Sequence, residues 1–278
     1  MIMRKSVIQK IIFIVIWSFF IAVLIISLGF SESQLKKVKC NKIDVQIVDT
    51  TGCDFVEAKD ILELLAQKGF NLKNKYIKDF PLNKIETIIR NHQSVKNTEV
   101  FTTFDGVLHI NVQQRNPVLR IINYNNESYY IDNDGAIFPL SKKYTARVLV
   151  ASGNINEPYI LRYTKDISKA EEKDELGRKF IADDLFILAK FIKSNDFYNS
   201  LTEQIYINEN NEIELIPKIG RFTILLGDID NLEEKFANLK AFISIGLSRE
   251  GWDKYSIINI RYKNQVVCTK KIIYESDE

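Results

Sequence analysis

The side chains in this chain that are most able to do chemistry are carboxylates, chiefly Asp132, Asp134, Asp183 and Asp184. A pair of carboxylates can serve as general acid and general base in a hydrolase. Asp183 and Asp184 are adjacent, however, and neighbouring helix residues point about 100° apart, so a charged helix face explains them better. Asp132-Asn-Asp-Gly resembles the start of a calcium loop, but Lys143 stands where a bidentate Glu is required. A hairpin turn is the simpler interpretation.

The two histidines and three cysteines do not form a metal or nucleophile pattern. His92 falls near the end of a predicted helix and His109 on the polar face of a predicted strand, so both are expected at the surface. Cys40, Cys53 and Cys268 are sparse and lack a CxxC spacing, which predicts small buried thiols, with a Cys40–Cys53 bridge outside the cytoplasm as the alternative. Phosphate-binding glycine motifs and a GxSxG elbow are absent from the sequence. We therefore expect no catalytic residue, no metal and no cofactor.

Composition is typical of a folded globular protein without a nucleic-acid ligand. Of the 278 residues, 46% are hydrophobic and 27% are charged, which argues against disorder. The 38 basic and 36 acidic side chains nearly cancel, and no long run of Lys or Arg occurs. Since nucleic-acid binding needs a basic excess, we expect no nucleic-acid ligand. We also expect no small-molecule substrate.

The segment Ile11–Phe30 contains twenty residues and no charge. A helix of that length just crosses a hydrocarbon core of roughly 30 Å, so we predict one transmembrane helix between a tail (residues 1–10) and a linker (residues 31–38). A cleaved signal peptide is the alternative, although its apolar region is only about 7–15 residues long. Because the tail has no room for a domain, the tail is expected in the cytoplasm and the body outside it.

Two further regions follow this segment. Residues 39–114 have the pattern β-α-α-β-β, with a capping box predicted at Asp54 and Glu57 and a hairpin turn at Asp105-Gly106. Residues 115–278 are predicted as a strand-rich mixed domain with two helices, the second starting from a capping box at Asp230-x-x-Glu233, and with a solvated loop over Arg162–Lys179. The fold class is therefore α+β.

The last strand-like run, Val266–Ile273, is expected at the edge of a sheet. An edge strand carries unpaired backbone groups, which are either blunted by charge or used to bind a partner strand. Lys270 and Lys271 fit blunting, and the apolar pair Val266-Val267 fits docking. The pattern alone leaves both interpretations open.

Three stretches, in order, resemble the bacterial division protein family FtsQ/DivIB. They are Gln114-Arg115-Asn116-Pro117-Val118, then Tyr130-Ile131-Asp132-Asn133-Asp134-Gly135 with Phe138-Pro139-Leu140-Ser141, and finally Ile258-Asn259-Ile260-Arg261-Tyr262. The similarity runs over nearly the whole chain. It implies that residues 39–114 form a POTRA domain and residues 115–278 the β-domain of the family, without catalytic activity.

The resemblance also implies a location, partners and a site. Such proteins are single-pass (type II) proteins of the cytoplasmic membrane with a periplasmic body. They act at the division septum, bind the small coiled-coil proteins FtsB and FtsL and other divisome components, and help control septal peptidoglycan synthesis. In the family a partner adds a strand along the last strand of the β-domain. Carried over by position, the partner-binding residues are Tyr262, Val266, Val267, Cys268, Thr269, Lys270 and Lys271. Thr269, Lys270 and Lys271 depart from family members that carry an aromatic residue near the end of this strand.

Two other classes of function stay open. A membrane-anchored envelope hydrolase would use the carboxylates Asp132, Asp134, Asp183 and Asp184. A POTRA-type protein of export or outer-membrane assembly would usually have repeated POTRA units or a following barrel, and neither is visible in the sequence.

Overall fold

The computed structural model describes most of the chain: residues 13–26, 38–48, 52–157, 159 and 180–272. The predicted loop Arg162–Lys179 lies outside the described residues. So do both ends of the predicted membrane segment, residues 11–12 and 27–30.

Residues 13–26 form helix α1, and all of its side chains are exposed. Phe13, Trp17 and Phe20 are among its exposed large apolar side chains. Across the described ranges, no helix combines the length and the apolar character that crossing a membrane requires.

The remaining described residues divide into two compact units. The first unit has the predicted β-α-α-β-β order and a three-stranded sheet in the order β1-β3-β2, with β1 parallel and β2 antiparallel to β3. Its elements are β1 (Lys42–Val48), α2 (Ala58–Gln67), a 3₁₀ turn (Ile77–Asp79), α3 (Leu82–Arg90), β2 (Val95–Thr102) and β3 (Val107–Gln114).

The core of the first unit forms where two helices cover one face of this sheet. Apolar residues recur three or four positions apart on each helix and two positions apart on β3, so each element has one buried face. The most deeply buried of these side chains are Ile61, Leu65, Ile85, Ile89, Leu108, Ile110 and Val112.

The start of α2 differs from the prediction. The capping box is at Glu57 and Asp60, where the Glu57 N–H donates to the Asp60 carboxylate at 2.9 Å, and not at Asp54 and Glu57. Phe55 and Val56 are buried, so the chain enters the helix only after them. The predicted turn at Asp105-Gly106 is confirmed, because Gly106 has φ +84° and its N–H donates to the Thr103 carbonyl at 3.1 Å.

The second unit contains nine strands and comprises the described residues of Thr51–Phe55 and Arg115–Glu278. Its first half holds β4 (Pro117–Ile122), β5 (Ser128–Asp132), β6 (Ile137–Pro139), β7 (Leu149–Gly153), α4 (Ile181–Lys193), α5 (Asp196–Leu201) and β8 (Thr202–Ile207). Its second half holds β9 (Ile213–Pro217), β10 (Thr223–Gly227), α6 (Leu232–Ala241), a π-helical turn (Phe242–Leu247), α7 (Ser248–Glu250), β11 (Tyr255–Asn259) and β12 (Val267–Lys270).

The expectation of two helices in this unit is wrong, because α5 and α7 are also present. Both are too short to show a helical period in the sequence. The side chain of Asn195 marks the start of α5 by accepting from the Phe197 N–H at 3.1 Å. The predicted capping box at Asp230 and Glu233 is also wrong, since the N-cap of α6 is Asn231 in the left-handed conformation with φ +53°.

All nine strands belong to one sheet in the order β12-β11-β10-β9-β8-β7-β4-β5-β6. The pairs β4–β7, β7–β8 and β10–β11 are parallel and the others antiparallel. The helices α4, α5 and α6 contribute to a single hydrophobic core with the inward side chains of the sheet. The mixed α+β fold class is confirmed, and the long sheet has β12 at one end and β6 at the other.

Candidate functional site

Strand β12 forms one edge of the nine-stranded sheet, and among the described residues it pairs with β11 alone. Opposite neighbours in this pair include Ile258 with Cys268 and Asn259 with Val267. The other edge, β6, has only three residues and ends in Pro139, which has no N–H to donate. The edge that can accept another strand is therefore β12.

Hydrogen bonds to β11 fix which backbone groups of β12 face outward. The Lys271 N–H donates to the Lys254 carbonyl at 3.0 Å, and the Ser256 hydroxyl donates to the Thr269 carbonyl at 3.3 Å. Backbone polar groups of alternate strand residues point to opposite sides. Thr269 and Lys271 therefore face β11, whereas Cys268 and Lys270 present their N–H and C=O groups away from the sheet.

The side chains of β12 divide between the core and solvent. Val266 and Cys268 are partly buried and pack against the core. Val267 is 45% exposed, and Thr269 and Lys270 are also exposed. Burial raises the pKa of the Cys268 thiol above its ordinary value. The edge thus offers outward-facing backbone N–H and C=O groups together with an apolar side chain on its outer face.

Acidic side chains partly balance the two lysines at the end of β12. Lys271 lies 3.7 Å from the Asp253 carboxylate. The pKa of Glu250 is lowered, first by a hydrogen bond from Lys254 and to a smaller extent by the charge of Lys270. The lysines therefore have acidic neighbours, which weakens the repulsion that they would exert on an approaching strand.

Tyr262 lies in the turn that leads into β12. Its side chain is 46% exposed, and the Arg261 guanidinium is 5.6 Å from its ring centroid. Arg261 also pairs with Glu212, which ties the turn to the start of β9. The Asn264 N–H donates to a Glu234 carboxylate oxygen at 3.1 Å, and this bond fixes the turn to α6.

The structure brings all seven predicted partner-binding residues onto one turn and strand at this edge. Sequence reasoning missed Ile257 of β11, which is exposed and lies opposite Thr269 on the outer face. Ile257 and Ile258 are adjacent and equally apolar, so the sequence does not tell which of them points outward. The bulge between Tyr255 and Ile257 decides this.

The carboxylates that a hydrolase would use lie in a turn and at the start of a helix. Asp132 is 1% exposed and accepts from Arg115 and from the backbone N–H groups of Asp134 and Ala136. Asp183 and Asp184 lie in the first turn of α4. Within the described ranges, no group of three or more His, Cys, Asp or Glu side chains is arranged to hold a metal ion. None of the three cysteines is in a disulfide, and Cys40 and Cys53 are buried.

Comparison with protein families agrees with this architecture. A family model described as "FtsQ/DivIB, C-terminal related" matches residues 116–269, and a model described as "POTRA-like domain" matches residues 38–113. A search of curated proteins found no match. The first match covers more than half of the 278 residues and reaches Thr269 in β12. The family is one of non-enzymatic scaffold proteins. The chain therefore belongs to the FtsQ/DivIB family.

Proposed function

We propose that this protein is a bitopic, non-enzymatic scaffold of the bacterial divisome that receives a partner strand along β12. The observation that carries this proposal is the open edge of the nine-stranded sheet, where Cys268 and Lys270 direct backbone groups outward. An extended segment of a partner satisfies such groups by adding a tenth strand. FtsB-like and FtsL-like bitopic division proteins are the proposed partners, and through them the scaffold helps regulate septal peptidoglycan synthesis.

Side chains on the outer face of β12 and in the turn before it then determine which segment fits. Val267 and the neighbouring Ile257 offer apolar surface on the outer face, and Tyr262 adds an exposed ring at the start of the strand. Main-chain hydrogen bonds supply affinity that depends little on sequence, and these side chains supply specificity.

Residues 11–30 are the proposed membrane anchor, with residues 1–10 in the cytoplasm and the two folded units in the periplasm at the septum. The support is the run of twenty uncharged residues and the exposure of every side chain of α1. A helix of this composition gains free energy by moving its apolar surface from water into lipid.

The decisive experiment distinguishes the contribution of the β12 backbone to partner binding from that of its side chains. Lys270→Pro removes an outward N–H while leaving the bonds to β11 in place, because proline is tolerated at an edge whose N–H faces solvent. Co-purification of FtsB-like and FtsL-like partners from cells is expected to fall at least about tenfold, the effect of losing roughly 1.4 kcal/mol. Thermal unfolding of the variant is expected to match the wild type.

Lys270→Thr is the matched control, because it removes the charged side chain and keeps the N–H. This variant is expected to retain the partners. A Val267→Pro variant should lose both fold and partners, since alternation places the Val267 N–H on the side that faces β11. Edge docking is wrong if the folded Lys270→Pro protein captures its partners as well as the wild type does.

A further inference from the structure

A cavity of about 440 Å³ lies in the second unit, at the amino ends of two parallel strands. Leu149 begins β7 and Thr202 begins β8, and both line the cavity. Ala189, Ile192 and Lys193, near the end of α4, also line it. Its volume falls within the range of about 300–1,000 Å³ that is typical of small-molecule sites. We propose that this cavity binds a phosphate group, either free or as part of a lipid headgroup.

The charges of the lining favour an oxyanion that carries two negative charges. Arg147, Lys193 and Lys218 line the cavity together with one carboxylate, Glu203, which leaves a net formal charge of +2. The three cations come from three places in the fold: the segment before β7, the end of α4 and the residue after β9. A phosphate monoester carries about −1.5 to −2 at neutral pH, which matches this lining.

The side chains of these cations have N–H donors that are not used within the described part of the protein. Neither the Arg147 guanidinium nor the Lys193 ammonium makes a hydrogen bond or ion pair with another residue in the part of the chain that the structure describes. The Lys218 ammonium donates once, from Nζ to the Asn199 carbonyl at 2.9 Å. An ammonium group has three N–H donors, so two remain available to a ligand.

Thr202 is an independent indication of a ligand at the same place. Its side chain is 3% exposed, and its buried hydroxyl oxygen has no hydrogen-bond partner among the described residues. A buried hydroxyl without a partner is destabilising, and most such groups in native proteins are paired. A phosphate oxygen in the cavity would accept a hydrogen bond from it.

The desolvation of Lys193 points in the same direction. Burial by its surroundings lowers the pKa of Lys193, and Cys53 opposes this shift only in part. A nearby anion favours the charged form of a lysine and would offset the effect of burial.

Part of the cavity lining is apolar. The apolar lining residues are Val118, Leu149, Val150, Ala189 and Ile192, and they offer contact to the carbon part of a phosphate ester. The site is separate from the β12 edge, so its test does not depend on the proposed scaffold function.

The test is isothermal titration calorimetry of the full chain in a non-ionic detergent. Two probes are titrated separately: inorganic phosphate and water-soluble dihexanoyl phosphatidic acid. The wild type is expected to bind at least one probe saturably. Tighter binding of the lipid by about tenfold identifies a headgroup as the source, and equal binding identifies free phosphate. Absence of saturable binding for both probes overturns the proposal.

Three variants locate the binding. Lys193→Gln and Thr202→Val are each expected to weaken binding about tenfold, because each removes a hydrogen bond to a charged ligand. Lys190→Gln, which removes an equal charge from the same helix outside the cavity, is the control and is expected to bind normally. Wild-type affinity in both Lys193→Gln and Thr202→Val overturns the proposal.

Thr202→Val also has a readout that does not depend on ligand. Since valine has nearly the shape of threonine without the unpaired hydroxyl, the ligand-free variant is expected to unfold at a temperature equal to or above that of the wild type. A lower unfolding temperature together with unchanged binding would show that the hydroxyl serves the fold alone, which also overturns the proposal.

Discussion

Arg115 donates a hydrogen bond from its guanidinium to the Asp132 carboxylate at 2.7 Å. This contact joins two stretches that are 17 residues apart in the chain: the one that opens the second unit and the one that forms the turn between β5 and β6. Asp132 also accepts from the Asp134 and Ala136 N–H groups at 3.0 and 2.8 Å. A carboxylate engaged in this way organises the turn.

Asp132→Ala is expected to reduce the free energy of unfolding by about 3 kcal/mol, because it removes the buried acceptor of one Arg115 hydrogen bond and of two turn N–H groups. Asp132→Asn keeps one acceptor oxygen and should cost less. Urea unfolding at neutral pH measures both changes. Glu209→Gln, at an exposed carboxylate in the β8–β9 turn, is the control, with a change of about 0.5 kcal/mol or less. Equal stability of Asp132→Ala and the wild type would contradict this role.

The pair Asp228–Lys235 is expected to make the second unit sensitive to acid. Lys235 is largely buried, with 9% of its side chain exposed, and its Nζ lies 2.6 Å from the Asp228 carboxylate and 3.2 Å from the Leu226 carbonyl. Desolvation raises the pKa of Asp228, but the bonds from Lys235 and the Asp230 N–H outweigh it, so the pKa is lowered overall.

A lowered carboxylate pKa gives stability that is present above the unfolded value, near 3.9, and is lost as pH falls through the folded value. Because 69% of the Asp228 side chain is exposed, screening limits this contribution to about 1 kcal/mol or less. Asp228→Asn should therefore lower the unfolding temperature at pH 7, and the difference from the wild type should shrink as pH falls below about 3.9. Asp230→Asn, at a neighbouring exposed carboxylate, should have little effect throughout this range. A difference between Asp228→Asn and the wild type that does not shrink on acidification would count against the pair.

Gly153→Ala is expected to be severely destabilising. Gly153 has φ +101°, and a Cβ atom built there would lie 2.2 Å from the Ile207 carbonyl oxygen of the neighbouring strand. Strain and the clash together should cost about 3 kcal/mol or more. Gly251 has φ +90° but nothing within 4 Å of its Cβ position. Gly251→Ala therefore measures the stability lost through backbone strain without a clash, about 1–2 kcal/mol. Equal losses in urea unfolding would exclude a steric contribution at Gly153.

The thiols should react slowly in the folded protein. Burial raises the pKa of Cys40 and of Cys268, and it outweighs the hydrogen bonds from backbone groups that lower the pKa of Cys40. Since the thiolate is the reactive form, iodoacetamide at pH 8 is expected to label Cys268 slowly and the fully buried Cys40 more slowly still. Peptide mass spectrometry measures both rates, with urea-unfolded protein as the reference. Equal rates in folded and unfolded protein would refute the prediction.

Local features of the sequence were sufficient for the order of the elements. The apolar stripes of α2 and α3, the alternation in β3 and the turn at Asp105-Gly106 each report on a few neighbouring residues, and each was predicted correctly. Predictions failed where a local signal had competing interpretations. The capping box lies at Glu57 and Asp60 because Phe55 and Val56 are buried before the helix begins, so that Glu57 is the N-cap.

The sequence by itself determined the apolar segment at residues 11–30, the α+β class and the run of residues that became β12, because periodicity and uncharged length are properties of consecutive residues. Only the tertiary structure decided that β12 ends the sheet, that Cys268 and Lys270 face outward, and that Asp132 pairs with Arg115. Each of these depends on contacts between residues that are not neighbours in the sequence, and the place of β12 depends also on the pairing of β10 with β11 across α6. Which strands become neighbours is settled by burial of the shared core, and a one-residue change of register would reverse every side chain.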